Sequence, residues 1–184
     1  MTTTFNGHKV IVFALEHYNP LNMIRAFGEQ GINPIYISVK RSYEVACRSK
    51  YISTLHRVDS VEEGYKLLME TYGNEEVKPY IVFSDDKSVG YFDLHYDEWK
   101  DKFITYNAGK MGRINEFMDK YEIQQCAKRH GFNVLDSYVI GKNDPLPVTL
   151  WYPIITKDIS PNSGSWKGDV FVCQNEEELK EAIV

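Results

Sequence analysis

The sequence predicts an α/β fold: a parallel sheet with helices on both faces, followed by a small α+β unit. Three observations lead there. Residues 10–15, Val-Ile-Val-Phe-Ala-Leu, are a continuous apolar run rich in β-branched side chains, the pattern of a strand buried on both faces of a parallel sheet. A helical period and a second apolar run follow within about 30 residues, which is the spacing of a βαβ crossover. From Asn107 the pattern changes to helix upon helix and then to short strands, which places one domain over residues 1–108 and a second over 109–184.

The first strand is the expected centre of the sheet. After it, residues 16–20, Glu-His-Tyr-Asn-Pro, turn the chain, and Leu21, Ile24 and Phe27 recur at helical spacing until Gly31 stops the helix. Residues 34–39, Pro-Ile-Tyr-Ile-Ser-Val, form the second strand. A short helix is expected over 44–49 and a weaker strand over 51–57. Ser60 and Glu63 spell a capping box, the serine oxygen accepting from the N3 amide and the glutamate reaching back to the cap. The helix it opens carries Val61, Tyr65, Leu68 and Tyr72 on one face and ends at Gly73. Residues 79–83, Pro-Tyr-Ile-Val-Phe, are the next buried strand, with Ser84, Asp85 and Asp86 at its carboxyl end, where such sheets bind ligands. Tyr91, His95 and Trp99 fall four apart and predict an aromatic helix face, read as packing before a cofactor box. A short strand is expected over 103–106.

In the second part, helices are expected over 109–118 and 119–130. Lys128, Arg129 and His130 sit near the negative end of the latter, and Gly131 stands at its C′ position. Strands follow over 132–140, 152–159 and 169–173, the last two turned back on each other by residues 160–168. Asn175 with Glu178 caps a final helix, whose buried face carries Leu179 and Ile183.

Composition bounds the function. With 43% hydrophobic and 26% charged residues among 184, no tract is polar enough to predict disorder. A net charge of −5 and a pI near 5.6 argue against a general nucleic-acid or anionic-membrane surface, so a phosphate ligand must meet a local cluster of lysines. Cys47, Cys126 and Cys173 are odd in number and far apart, which indicates neither a disulfide framework nor a zinc site; reduced thiols in a cytoplasm are the simplest expectation. The apolar run at 10–15 is too short for a signal-peptide core or a membrane span, and no targeting segment is expected. Neither G-x-x-x-x-G-K-[ST] nor G-x-G-x-x-G occurs, so Walker-type and dinucleotide sites lose their main support.

The stretch 119–168 carries the candidate chemistry. It joins Asp119-Lys120 at the head of a helix to Lys157 and then to residues 160–168, Ser-Pro-Asn-Ser-Gly-Ser-Trp-Lys-Gly. Two lysines on regular elements beside a small-residue loop offer ammonium charge and free backbone N–H groups to a polyphosphate. Taken singly, the lysines are solvated side chains and the loop is a turn. Asp85 and Asp86 fit helix N-capping or orientation of a substrate; Glu16 and His17 fit a surface pair or an acid–base couple above the first strand.

In their order, Asp119-Lys120, a helix ending at Gly131, Tyr-Pro-Ile-Ile-Thr-Lys at 152–157, a Ser/Gly loop and Glu177-Glu178-Leu179 resemble the opening half of the ATP-grasp fold. Residues 8–106 resemble the Rossmann-like pre-ATP-grasp sheet that precedes it in biotin carboxylase, carbamoyl-phosphate synthase and carboxylate–amine ligases. The resemblance implies that Lys120 and Lys157 are ATP-phosphate ligands and that Ser163, Gly164, Ser165, Lys167 and Gly168 belong to the loop that closes over the triphosphate. Asp158 stands where the family commonly has proline, and Pro161 and Asn162 replace loop glycines. The resemblance also implies an ATP-grasp fold incomplete at the C-terminus, because the adenine hinge, the acidic Mg²⁺ ligands and most substrate arginines of the family follow the segment equivalent to 175–184. Mg²⁺ is then expected only through residues outside this chain. The implied function is the N-terminal part of an ATP-dependent ligase, inactive alone, whose parent activates a small carboxylate as an acyl phosphate for attack by an amine or similar nucleophile. A homo-oligomer or a second polypeptide stays open as partner. So does the alternative of a non-catalytic nucleotide- or sugar-binding module, or a subunit docking onto another chain.

Overall fold

The computed structural model describes residues 4–141, 144–157 and 170–183. Backbone contacts group the chain into two compact units, residues 1–115 and 116–184. In the first, β1 (Thr4–Phe5) turns back antiparallel onto β2 (His8–Leu15). Then come α1 (Tyr18–Glu29), β3 (Ile35–Val39), a single 3₁₀ turn (Ala46–Arg48), β4 (Thr54–Val58), α2 (Val61–Tyr72) and β5 (Tyr80–Phe83). Helices α3 (Asp86–Leu94) and α4 (Tyr96–Trp99) follow.

The apolar run at 10–15 is central because both of its edges are paired. Val12 lies opposite Tyr36 of β3 and opposite Val82 of β5, both in parallel ladders, and β3 pairs onward with β4. The order is therefore β4-β3-β2-β5, extended past β5 by one parallel bridge from Tyr80 to Ile104. Alternation along β2 sends Val12 and Ala14 to one face, where they pack with Ile24 of α1, Tyr36 and Ala46. Phe13 faces the other way and meets Phe83 and Phe92 edge-on, at ring-centroid distances of 6.1 and 5.0 Å. Helices thus cover both faces, and the core is continuous through the sheet.

Caps follow the sequence closely. Ser60 Oγ accepts from Glu63 N at 3.1 Å, while the Glu63 carboxylate accepts from the Asp59 amide at 2.8 Å, one residue before the cap itself. Gly64 lies on the face of α2 turned to the sheet, where an added Cβ would meet Phe13 Cζ at 2.7 Å. Asp93, buried on α3, accepts from both the backbone N–H and the side-chain amide of Asn115 at 2.9 and 2.8 Å, which fixes the chain where α5 (Arg113–Met118) begins.

The second unit holds α6 (Lys120–Arg129), β6 (Ile154–Lys157), β7 (Val170–Cys173) and α7 (Glu176–Ala182). Asp119 caps α6, and the helix ends in a Schellman motif: Gly131 takes φ 75°, and Phe132 N donates to Ala127 O. Strands β6 and β7 pair antiparallel, and α7 packs on them through Leu179, which is buried with Cys173. No helix among the described residues is long and apolar enough to cross a membrane.

Four expectations are corrected. Residues 132–140 form no strand: β6 and β7 pair with each other, and with no ladder partner among the described residues Phe132, Leu135, Tyr138 and Val139 stay exposed. The segment 103–106 contributes only the bridge at Ile104. Residues 44–49 close as one 3₁₀ turn, because the amides of Val45, Ala46 and Cys47 are all taken by the Glu16 carboxylate. Tyr91, His95 and Trp99 do not share one helix. His95 Nδ1 donates to the Tyr91 carbonyl at 2.8 Å, its own amide turns to Phe92, and the helix breaks there. Tyr91 and His95 still stack at 4.2 Å, and Trp99 Nε1 donates to Phe92 O, so the trio serves packing.

Candidate functional site

Two places bear on function. The first is the carboxyl edge of the sheet, between the ends of β2 and β5, where the strand order reverses and open α/β sheets take ligands. Leu15 N donates to Asp85 Oδ2 at 2.9 Å, and Asp85 Oδ1 accepts from Ser88 N at 2.8 Å. Asp85 is therefore the N-cap of α3 and ties that helix to β2. Its lone pairs serve the fold rather than a substrate.

Glu16 is neither a surface pair with His17 nor an acid–base couple. It is 1% exposed, and its two oxygens accept six hydrogen bonds. Oε2 takes the Tyr36 hydroxyl at 2.8 Å, the Ser38 hydroxyl at 2.9 Å and the Cys47 thiol at 3.2 Å. Oε1 takes the amides of Val45, Ala46 and Cys47 at 2.6, 2.5 and 3.2 Å. Burial alone raises a carboxyl pKa, but the donors, led by Tyr36, Cys47 and Ser38, outweigh it and hold Glu16 below the ordinary range. The same surroundings push the Cys47 thiol up to about 11, chiefly by burial, so it stays protonated and donates. His17 Nδ1 in turn accepts from Asn19 N and caps α1. The sequence signal for this network was Ser38, a hydroxyl two residues from Tyr36 on the same face of a strand otherwise fit for the core, which requires a buried acceptor.

The second place is the antiparallel pair in the second unit. Directly opposed residues in such a ladder share a face. Ile155 faces Val172, and Lys157 faces Val170, all four on the side away from half-buried Ile154 and Thr156. Ile155, Val170 and Val172 are 57%, 50% and 57% exposed. Lys157 thus ends β6 as an exposed ammonium at the rim of an uncovered apolar face. Lys120 is the exposed first residue of α6, directly after Asp119, whose carboxylate accepts from Tyr121 N and Glu122 N at 2.8 and 3.0 Å. Both lysines lie in the second unit on separate elements. Ser163, Gly164, Ser165, Lys167 and Gly168 lie outside the described residues. Among the described residues no group of three His, Cys, Asp or Glu side chains is placed to hold a metal.

The chain superposes on an L-amino acid ligase from Bacillus licheniformis with a TM-score of 0.69, covering 96% of this chain at 9% identity. It shares the fold of the N-terminal part of that ligase, an ATP-grasp enzyme. The chain spans 41% of that ligase's own length. The biotin carboxylase domain of a thermophilic 2-oxoglutarate carboxylase, bound to ADP without magnesium, aligns over 94% of this chain and 39% of its own, with a TM-score of 0.49 and 18% identity. No protein-family model matches the sequence, and no curated protein does. At such identities the likeness is one of architecture, and the roles of individual residues rest on their chemistry.

Proposed function

We propose that residues 1–108 are the pre-ATP-grasp domain and 109–184 the first ATP-grasp subdomain of an ATP-dependent ligase, and that this part binds the phosphates of ATP. One observation carries the proposal: Lys157 stands at the end of an exposed apolar β-ribbon made by Ile155, Val170 and Val172. An apolar face suits a nucleobase or ribose, and an ammonium at its rim suits a polyphosphate, so the pair matches the two chemistries of one nucleotide. Lys120, exposed at the head of α6, is the second phosphate ligand.

In the parent ligase, a small carboxylate would attack the γ-phosphorus of ATP, ADP would leave, and an amine would displace phosphate from the acyl phosphate. The lysines' part is electrostatic: they offset negative charge on the transferring group and hold it in place. Mg²⁺ does not fit the described residues, which offer no carboxylate cluster for it, so no step is assigned to it here. A chain with one wall of the site turns over poorly or not at all by itself. A cytoplasmic setting agrees with its free cysteines.

Calorimetric titration of ATP into the 184-residue chain, with and without Lys157→Ala, tests this proposal. Loss of a charge-assisted contact worth about 1.5–3 kcal/mol predicts at least roughly tenfold weaker binding in the variant. Unchanged binding, or binding of a sugar in place of the nucleotide, would favour the non-catalytic module instead.

A further inference from the structure

The buried Glu16 network has a geometric consequence on the surface. One carboxylate fixes two segments at the carboxyl edge of the sheet: its own backbone leads directly into His17 and Tyr18, and its Oε1 holds the amides of 45–47, just after Tyr43. These two segments carry three aromatic rings, with His17 within reach of both tyrosines. The His17 ring lies 3.8 Å from that of Tyr18 and 6.1 Å from that of Tyr43. Tyr18 and Tyr43 are nonetheless 54% and 45% exposed, so about half of each side chain stays open to a ligand.

The charged residues close to these segments in sequence differ in whether they are paired. Lys40 pairs with Asp59 and Arg57 with Glu44, but Arg41, two residues before Tyr43, has no ion pair or hydrogen bond among the described residues. His17 accepts through Nδ1, which leaves Nε2 as the ring's donor. Flat faces held rigid from beneath, a ring N–H and an unpaired guanidinium together fit a ligand with a planar apolar group and an anionic one.

We propose that His17, Tyr18, Tyr43 and Arg41 form a binding wall for an aromatic carboxylic acid, with the rings stacking its side chain and Arg41 and His17 Nε2 meeting its carboxylate. Glu16 is the positioning residue of this wall. Naming the acid as the substrate to be activated rests on the ligase proposal above; the binding wall itself does not.

Amide spectra of the ¹⁵N-labelled chain, titrated with L-tryptophan and separately with L-alanine, test it. L-tryptophan shifts the amides of His17, Tyr18 and Tyr43 saturably. Affinity falls about tenfold in Tyr43→Ala and in Arg41→Ala, consistent with loss of one stacking or charged contact. Both side chains are exposed, so thermal unfolding of the two variants matches the parent. L-alanine, which has the carboxylate without the ring, leaves these amides unshifted at the same concentration. The proposal is overturned if L-tryptophan shifts none of the three amides, if L-alanine shifts them equally, or if Tyr43→Ala titrates like the parent. Lys157 lies in the other unit, so the two proposals fail separately. Tryptophan shifts without ATP binding would remove the ligase reading and keep the wall, and the converse would do the opposite.

Discussion

Glu16 is the residue on which the first unit most depends. Replacing it with alanine would strand three backbone donors of the 3₁₀ turn and the buried Tyr36 hydroxyl, at a cost of about 3 kcal/mol, readable as a drop in the urea midpoint at neutral pH. Its carboxyl is held below the ordinary value in the folded chain, so the stability it contributes is fully present above the unfolded-state pKa of about 4.3 and is lost as pH falls through the lower folded-state value. The stability gap between the parent and Glu16→Gln should therefore narrow as pH falls through and below that value. A gap independent of pH would mean that the charge of Glu16 does not matter. None of this was legible from Glu16 itself, because its partners come from positions 36, 38 and 45–47 and meet only once β2 and β3 pair. By contrast the caps Ser60, Asp85, Asp119 and Asn175 were legible, since each bonds an amide two or three residues away.

At the level of elements, the helices and the buried strands follow from local pattern, and the failures are places where a partner decides. The alternating run at 132–140 reads as a strand but finds no ladder among the described residues, and the aromatic period at 91–99 is cut by one side-chain bond from His95 to the Tyr91 carbonyl. Packing also outranks propensity at Gly64. Alanine there would gain about 1 kcal/mol in helix propensity, yet its Cβ would lie 2.7 Å from Phe13 Cζ and 3.2 Å from Val58 Cγ2. Phe13 is fully buried among other rings and cannot yield. Overpacking of about 1–3 kcal/mol makes Gly64→Ala net destabilising, to be read as a lower urea midpoint with unchanged slope. A variant as stable as the parent would mean that α2 rides more loosely on β2 than this packing indicates.

Across the whole molecule, the order of elements was readable, and it led to the ATP-grasp fold that the likeness to the L-amino acid ligase bears out. A βαβ opening, a doubly covered parallel sheet and a later antiparallel pair are set by long apolar runs whose period survives any local error. The candidate site was legible to a lesser degree. The order of the segments and the resemblance to the ATP-grasp fold singled out Lys157, but not the exposed face of Ile155, Val170 and Val172 beside it, because the register that joins them arises only when β6 and β7 pair. The central claim is that this unit recognises the phosphates of a nucleotide, and affinities for ATP, ADP and AMP measured side by side on the parent and on Lys157→Ala test it most directly. The account predicts affinity falling in the order ATP, ADP, AMP in the parent, with the three converging in the variant. AMP binding as tightly as ATP, or a phosphate dependence that survives Lys157→Ala, would contradict it.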